Sequence, residues 1–354
     1  MELFGSQDGD GGQTMRAGLL LAVMALGTQP MLRAEDPKAI RVERQKPCMG
    51  TTLRLVAYGQ PEQAVAKAMD QAFARAEALN RILSDYQADS ELMRLCARSG
   101  PGEPVTVSRE LYTVLAAAQK MSAATDGAFD VTVGPLTREW RLARKSFRLP
   151  DAETLAKGRE VVGYRKIELL EGDQVSLKSR GMRLDLGGIA KGYTADEVLA
   201  VLKKAGFPKA LVALGGDLVA GDAPPGKPAW DVDLIDLPGD KGAHRRIPLV
   251  NQAVSTSGDL EQFLEINGVR YGHILDPRTG LGTTDRAAAT VLASTGMDAD
   301  SLTKACCLLP EDKALKVVTA YAAQARLVRP NGDGARPARI VVSPGFPPLG
   351  KSSE

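Results

Sequence analysis

The sequence predicts an α+β fold, a mixture of sheets and helices. Strand and helix patterns follow one another without the regular β-α-β rhythm of a doubly wound sheet, and no internal repeat is visible. The chain has 354 residues, 44% apolar and 25% charged, enough for one large domain or two smaller ones around a sizeable core.

The elements follow from local patterns. Residues 51–58 alternate as a strand. In Glu62–Leu83, the residues Val65, Met69, Phe73, Ala76 and Leu79 recur every three or four positions, as on an amphipathic helix. Residues 108–124 read as a second helix with Ser108 as N-cap. A short helix is expected at 151–158 and a hairpin from 164–170 and 174–177. Residues 196–205 read as a helix, 210–213 as a short buried strand ending at Gly215-Gly216, and 230–235 as a strand. Helices are expected at 297–309 and 312–323, then strands at 326–328 and 339–342 paired across Asn331-Gly332. The domain is expected over 35–343, with 344–354 as a tail.

Residues 1–34 read as an N-terminal extension and a secretory signal peptide. Met15-Arg16 opens the apolar run AGLLLAVMALG, too short to span a bilayer as a helix, and cleavage is expected after Ala34. Export follows as the expectation, to the periplasm or to the outer face of a membrane, with membrane contact only through a partner or an uncleaved signal. Met15 is a second candidate start, and a terminal tail followed by a buried helix is the competing reading. The four cysteines, Cys48, Cys96, Cys306 and Cys307, do not form a disulfide framework, since two are adjacent and no CxxC occurs. With two histidines a His-rich zinc site is excluded, and a net charge of +2 argues against nucleic acid as a partner.

Three constellations can carry chemistry. In RLDLGGIAKGYTAD (183–196) an acid ends a short strand, and Gly187 and Gly188 let a backbone approach a ligand closely. A helix start and Lys191 could then meet a phosphate; a plain strand-to-helix turn is the alternative. In YGHILDPRTG (271–280), His273 could move protons or hold a diphosphate, or the segment is a turn locked by an Asp276–Arg278 pair. In MDADSLTKA (297–305), Asp298 and Asp300 open a helix with Thr303 and Lys304 one turn on; carboxylate, hydroxyl and backbone carbonyl are hard-oxygen ligands suited to Mg²⁺, or the acids cap a helix.

Taken in order, MGTT, SDYQADSEL, GAFDVTVGPL, LDLGGIAKGY, GGDL, STSGDLEQF, HILDPRTG and DADSLTKA resemble the ApbE family, the FAD:protein FMN transferases. The resemblance runs from Met49 to about Val342. It implies mixed sheets and helices with an FAD cleft between two subregions. It also implies the reaction: a Ser or Thr hydroxyl of a partner flavoprotein attacks the FAD diphosphate, FMN becomes esterified to it, and AMP leaves. By the same resemblance Met49, Tyr86, Gly127, Ala128 and Phe129 hold the flavin and adenine ends, Asp185 and Lys191 bind FAD, and His273 and Ile274 line the cleft. His273 is the candidate proton acceptor. Mg²⁺ is implied on the Gly188 carbonyl and Asp300.

One position departs from the family pattern. Where a threonine is usual four residues after the metal aspartate, this chain has Lys304, and the nearest threonine is Thr303. Either Thr303 reaches the metal through an adjusted helix turn, or the Lys304 ammonium sits where the metal's charge would be. Neighbours on a helix are about 100° apart, so the first account requires backbone adjustment. Two other functions stay open: a non-catalytic periplasmic FAD-binding protein, and a diphosphatase that splits FAD into FMN and AMP.

Overall fold

The structure, a computed structural model, describes residues 39–234, 245–258, 263–331 and 336–351. The expected signal segment and the Gly332 half of the expected turn lie outside the described residues. So do Asp259–Gln262 of the STSGDLEQF motif.

An eight-stranded antiparallel sheet forms the frame, and its spatial order is its chain order. The strands are β1 (Ile40–Cys48), β2 (Thr51–Gly59), β3 (Ala210–Leu214), β4 (Asp217–Ala220), β5 (Ala253–Gly258), β6 (Ala288–Ala293), β7 (Gln324–Asn331) and β8 (Arg336–Val342). Long excursions leave this meander and return to it. Between β2 and β3 run six helices: α1 (Glu62–Leu83), α2 (Glu91–Ala97), α3 (Arg109–Ala124), α4 (Gly134–Ser146), α5 (Ala152–Val161) and α6 (Ala190–Lys204). Helices α7 (Gly296–Leu308) and α8 (Glu311–Ala320) fill the excursion between β6 and β7. The α+β expectation is met.

Successive strand residues point to opposite faces, and both faces are covered. Leu53, Leu55 and Ala57 of β2 join Val212, Val291 and Leu327 against apolar residues of α1, α3, α6 and α7. On the opposite face Val56, Val254 and Leu292 meet Trp230, Val232, Ile247 and Leu249 of the hairpin Trp230–Leu234/Arg245–Leu249. The expected tail closes that side: Phe346 and Leu349 pack there, and Gly350–Lys351 pairs with Arg245–Leu249. Among the described residues no helix is long and apolar enough to cross a membrane.

Helix α1 matches its expected bounds, and Ser108 caps α3 by accepting the Leu111 N–H at 3.3 Å. Three helices differ from expectation. Helix α6 starts at Ala190, six residues before the expected start, because Gly192 masks its first turn. Helix α2, capped by Ser90, is not among the expected elements. Helix α4 opens on Gly134-Pro135, where Pro suits a first helical turn.

Helices α6 and α7 touch through glycine. A Cβ on Gly192 would lie 2.0 Å from the Gly296 carbonyl oxygen, and one on Gly296 would lie 2.5 Å from the Gly192 oxygen. The helices also cap each other. Asp196 of α6 accepts the N–H groups of Gly296 and Met297 at 2.7 and 2.9 Å, and Asp300 of α7 accepts the Gly192 N–H at 3.1 Å. Each carboxylate satisfies donors that a helix start leaves unpaired. Burial pushes the Asp196 carboxyl up to about 6, against the pull of those two N–H groups.

Gly192→Ala is expected to lower stability by about 1–3 kcal/mol, the range for overpacking a close contact. Gly102→Ala, at a glycine with open space around it, is the control and should be near neutral. Urea unfolding of both variants reads the difference; equal midpoints would show that the helices can part without loss.

Candidate functional site

One end of the meander gathers the motifs. The β1–β2 turn, the β3–β4 turn at Gly215-Gly216 and the end of β5 at Thr256–Gly258 converge there. The helical excursion forms the opposite wall. Between them lies a cavity of about 960 Å³, at the upper end of the range for small-molecule sites.

The β1–β2 turn has two residues, both left-handed: Met49 at φ +48° and Gly50 at φ +74°. Such a turn favours Asn-Gly, and a methionine there is strained. The Met49 side chain faces the cavity, and its sulfur accepts from the Thr194 hydroxyl at 3.6 Å.

On the helical wall an arginine joins two carboxylates and a ring. Arg141 Nη1 lies 2.5 Å from Asp85 Oδ2, and Nη2 lies 3.3 Å from Asp185 Oδ2. Its guanidinium stacks 4.0 Å from the centre of the Tyr86 ring, which is 77% exposed. Asp185 also accepts the Gly187 N–H at 2.8 Å, which shapes the glycine loop. Burial and the nearby Asp185 raise the Asp85 pKa, and Arg141 works against both.

Past the glycine loop lies a four-charge cluster. Lys191 Nζ sits 3.2 Å from Asp217 Oδ2 and 3.6 Å from Asp300 Oδ2. Lys304 donates to Asp300 Oδ1. Asp217 is itself held by the Ser255 hydroxyl at 2.5 Å. Burial alone pushes the Asp300 carboxyl up, but the two ammoniums and the Gly192 N–H outweigh it and hold the carboxyl below its ordinary range. Burial works against the Lys191 charge, and Asp300 with Asp217 outweighs it and keeps the amine above its usual value.

His273 sits in a bend whose flanks are pinned by one residue. Gly272 N donates to the Thr283 carbonyl at 2.6 Å, and Thr283 N donates to the Ile274 carbonyl at 2.9 Å. Trp140 of α4 packs edge-on to Tyr271 at 5.7 Å and ties this bend to the helical wall. The lock is also present: Arg278 Nη2 lies 2.7 Å from Asp276 Oδ2.

Of the expected site residues, Met49, Tyr86, Ala128, Phe129, Asp185, Gly188, Lys191, His273, Ile274 and Lys304 line the cavity. Three do not. Gly127 lies in a left-handed turn at φ +77° against Tyr164. Asp300 is wholly buried behind the wall. Thr303 is also buried, its hydroxyl 2.9 Å from Ser257 Oγ and 2.7 Å from the Asp300 carbonyl, so the account in which Thr303 reaches a metal does not hold. The four cysteines are free thiols. Burial raises Cys96 to about 11 and Cys306 to about 12, which removes both as nucleophiles.

A divalent ion of the expected kind does not fit these residues as placed. One Asp300 oxygen is taken by an ammonium and the other by an N–H. Among the described residues no three His, Cys, Asp or Glu side chains gather as a ligand set.

Sequence reading missed Asp85, Arg141 and Arg144. The signal was present: Thr137, Trp140, Arg141 and Arg144 recur at helical spacing and all line the cavity.

A family model described as "ApbE family" matches residues 49–327. A protein of Haemophilus influenzae described as FAD:protein FMN transferase is 32% identical over 313 residues, covering 85% of this chain and 89% of that one. One of Treponema pallidum with the same description is 32% identical over 290 residues, covering 77% and 80%. The flavinyl transferase ApbE of Pseudomonas stutzeri, solved in its apo form, superposes with TM-score 0.76 at 28% identity, covering 86% of this chain and 95% of that one. The flavin transferase ApbE of Vibrio cholerae gives 0.73 at 28% identity, covering 87% and 98%.

Arg141→Gln should destabilise the chain most at neutral pH. The fold raises the Asp85 pKa, so the cost of ionising that carboxyl is absent below about 3.8 and is felt in full above its raised value. Arg141 lowers that cost, and its loss should add about 1–3 kcal/mol of destabilisation at pH 7. Thermal unfolding of variant and wild type at pH 7 and pH 4 checks this; a deficit no larger at pH 7 than at pH 4 would refute the assigned role.

Proposed function

The chain belongs to the ApbE family, and on that premise we propose that it is a transferase that takes FAD as donor and moves the FMN half onto a protein acceptor. The observation that carries this reading is the cavity itself. It joins an exposed aromatic ring on a guanidinium, an ammonium cluster and a histidine in one space of dinucleotide size.

In the proposed reaction the acceptor is a Ser or Thr hydroxyl of a partner flavoprotein. Its oxygen bonds to the phosphorus on the flavin side of the diphosphate. The P–O bond to the AMP side breaks, and AMP leaves with the electron pair. The hydroxyl proton passes to the His273 imidazole, which faces the cavity. Lys191 and Lys304 would donate to the diphosphate from the cavity wall, and fixed donors beside the developing charge favour in-line attack. Met49, Tyr86, Phe129 and Ile274 cover the ring systems, and Asp185 holds the glycine loop beside them. Asp300, the carboxylate that the family resemblance gives to Mg²⁺, is already engaged by Lys304 and by the Gly192 N–H. Export to the periplasm, or to the outer face of a membrane, completes the reading on the strength of the N-terminal apolar run.

The test is transfer itself. The chain is incubated with FAD and an acceptor protein carrying a Ser/Thr target segment, and flavin fluorescence is read on the acceptor in a denaturing gel. A fluorescent acceptor with AMP released in equal amount is the expected result. FAD bound without AMP release would select a binding protein, and free FMN without a labelled acceptor would select a diphosphatase. His273→Ala should keep FAD affinity while transfer falls roughly 10²- to 10⁴-fold; unchanged transfer would remove His273 from the reaction.

A further inference from the structure

Lys304 bridges the two positions that the family resemblance gives to a metal. Its stem passes Gly188, where a Cβ would lie 3.4 Å from Lys304 Cγ. Its ammonium ends on Asp300 Oδ1. One side chain therefore spans from the glycine loop to the buried carboxylate. The other Asp300 oxygen accepts the Gly192 N–H and faces Lys191. Lys191 and Lys304 together balance Asp217 and Asp300, so the cluster is neutral without any added ion. A divalent ion entering it would meet two ammoniums and would have to displace Lys304 from its carboxylate, which is costly for a charge with no exposure to water.

Lys304 also reaches the cavity, with its side chain 15% exposed. An ammonium carries three donors, and the bond to Asp300 uses one of them. Thr303 is turned into the core by its bonds to Ser257 and the Asp300 carbonyl, so no hydroxyl of this helix turn competes for the position.

We propose that the Lys304 ammonium takes the place of a divalent ion and makes this a metal-independent site for the diphosphate of a dinucleotide. The ligand's identity rests on the flavin reading above; the position of the cation does not.

Two measurements on the full chain test this and separate it from that reading. The first uses Mn²⁺ alone, followed by electron paramagnetic resonance. Wild type should bind no Mn²⁺ tightly, and Lys304→Thr should gain a site. Tight Mn²⁺ binding by wild type, or no gain in a folded Lys304→Thr chain, overturns the proposal. The second measures FAD affinity by flavin fluorescence in EDTA and in Mg²⁺. Wild type should bind equally in both, within about two-fold, and Lys304→Arg should follow it. Lys304→Met should bind roughly ten- to a hundred-fold more weakly, the loss expected for a charged hydrogen bond. An affinity that EDTA lowers in wild type, or that Lys304→Met leaves intact, overturns the proposal. A chain that binds no FAD under any condition would sink the flavin reading, and the Mn²⁺ comparison would still decide the cation.

Discussion

A carboxylate with no access to water organises this molecule. Asp300 lies inside the packing of α6 against α7, where an ion is stable only if each oxygen has donors. Those donors come from the helix start at Gly192 and from Lys191 and Lys304. Helix α6 has no side-chain cap from its own N-cap residue, Ile189, so Asp300 supplies one from the neighbouring helix. Asp196 returns the arrangement to α7. Two helix starts thus depend on each other, and the contact needs glycine at 192 and 296 because backbone touches backbone there. The loop 185–191 enters α6 directly, so its position follows from the same contact.

The meander explains why residues distant in sequence share one cavity. In an antiparallel sheet whose spatial order is its chain order, alternate connections fall at the same end. Met49-Gly50, Gly215-Gly216 and the end of β5 are three such points. Turns at a sheet's end tolerate unusual backbone, and the strain of Met49 is stored there rather than in the core. The other wall is made of helix, and Arg141 holds it by pairing with Asp85 beyond the end of α1 and with Asp185 at the loop.

What the sequence makes legible depends on how local the cause is. Glu62–Leu83 can be read to its ends because its apolar period runs unbroken and Pro61 precedes it. The start of α6 cannot, since Gly192 argues against helix locally and is explained only by Gly296, over a hundred residues away. Motif residues such as His273, Tyr86 and Lys191 are visible as motifs, and they do line one cavity. Arg141 belongs to no short motif; its meaning appears only when α4 is placed beside Asp85 and Asp185. The strand at Gly350–Lys351 is hidden for the same reason, because its pairing partner is a distant hairpin edge.

The choice between Thr303 and Lys304 shows how a helix turns sequence into chemistry. Positions 303 and 304 both lie one turn on from Asp300, on either side of it, and their side chains leave the helix about 100° apart. Lys304 runs over Gly188 of the glycine loop and reaches the Asp300 carboxylate. Position 303 is committed inward, since its hydroxyl satisfies Ser257 and closes a bond to the Asp300 carbonyl. The residue at 304 therefore decides what stands beside the carboxylate on that side. A hydroxyl there would leave Asp300 with an open oxygen and a charge to be met from solution. An ammonium there meets that charge within the chain, and its long apolar stem fills the space over Gly188 that a shorter residue would leave to water.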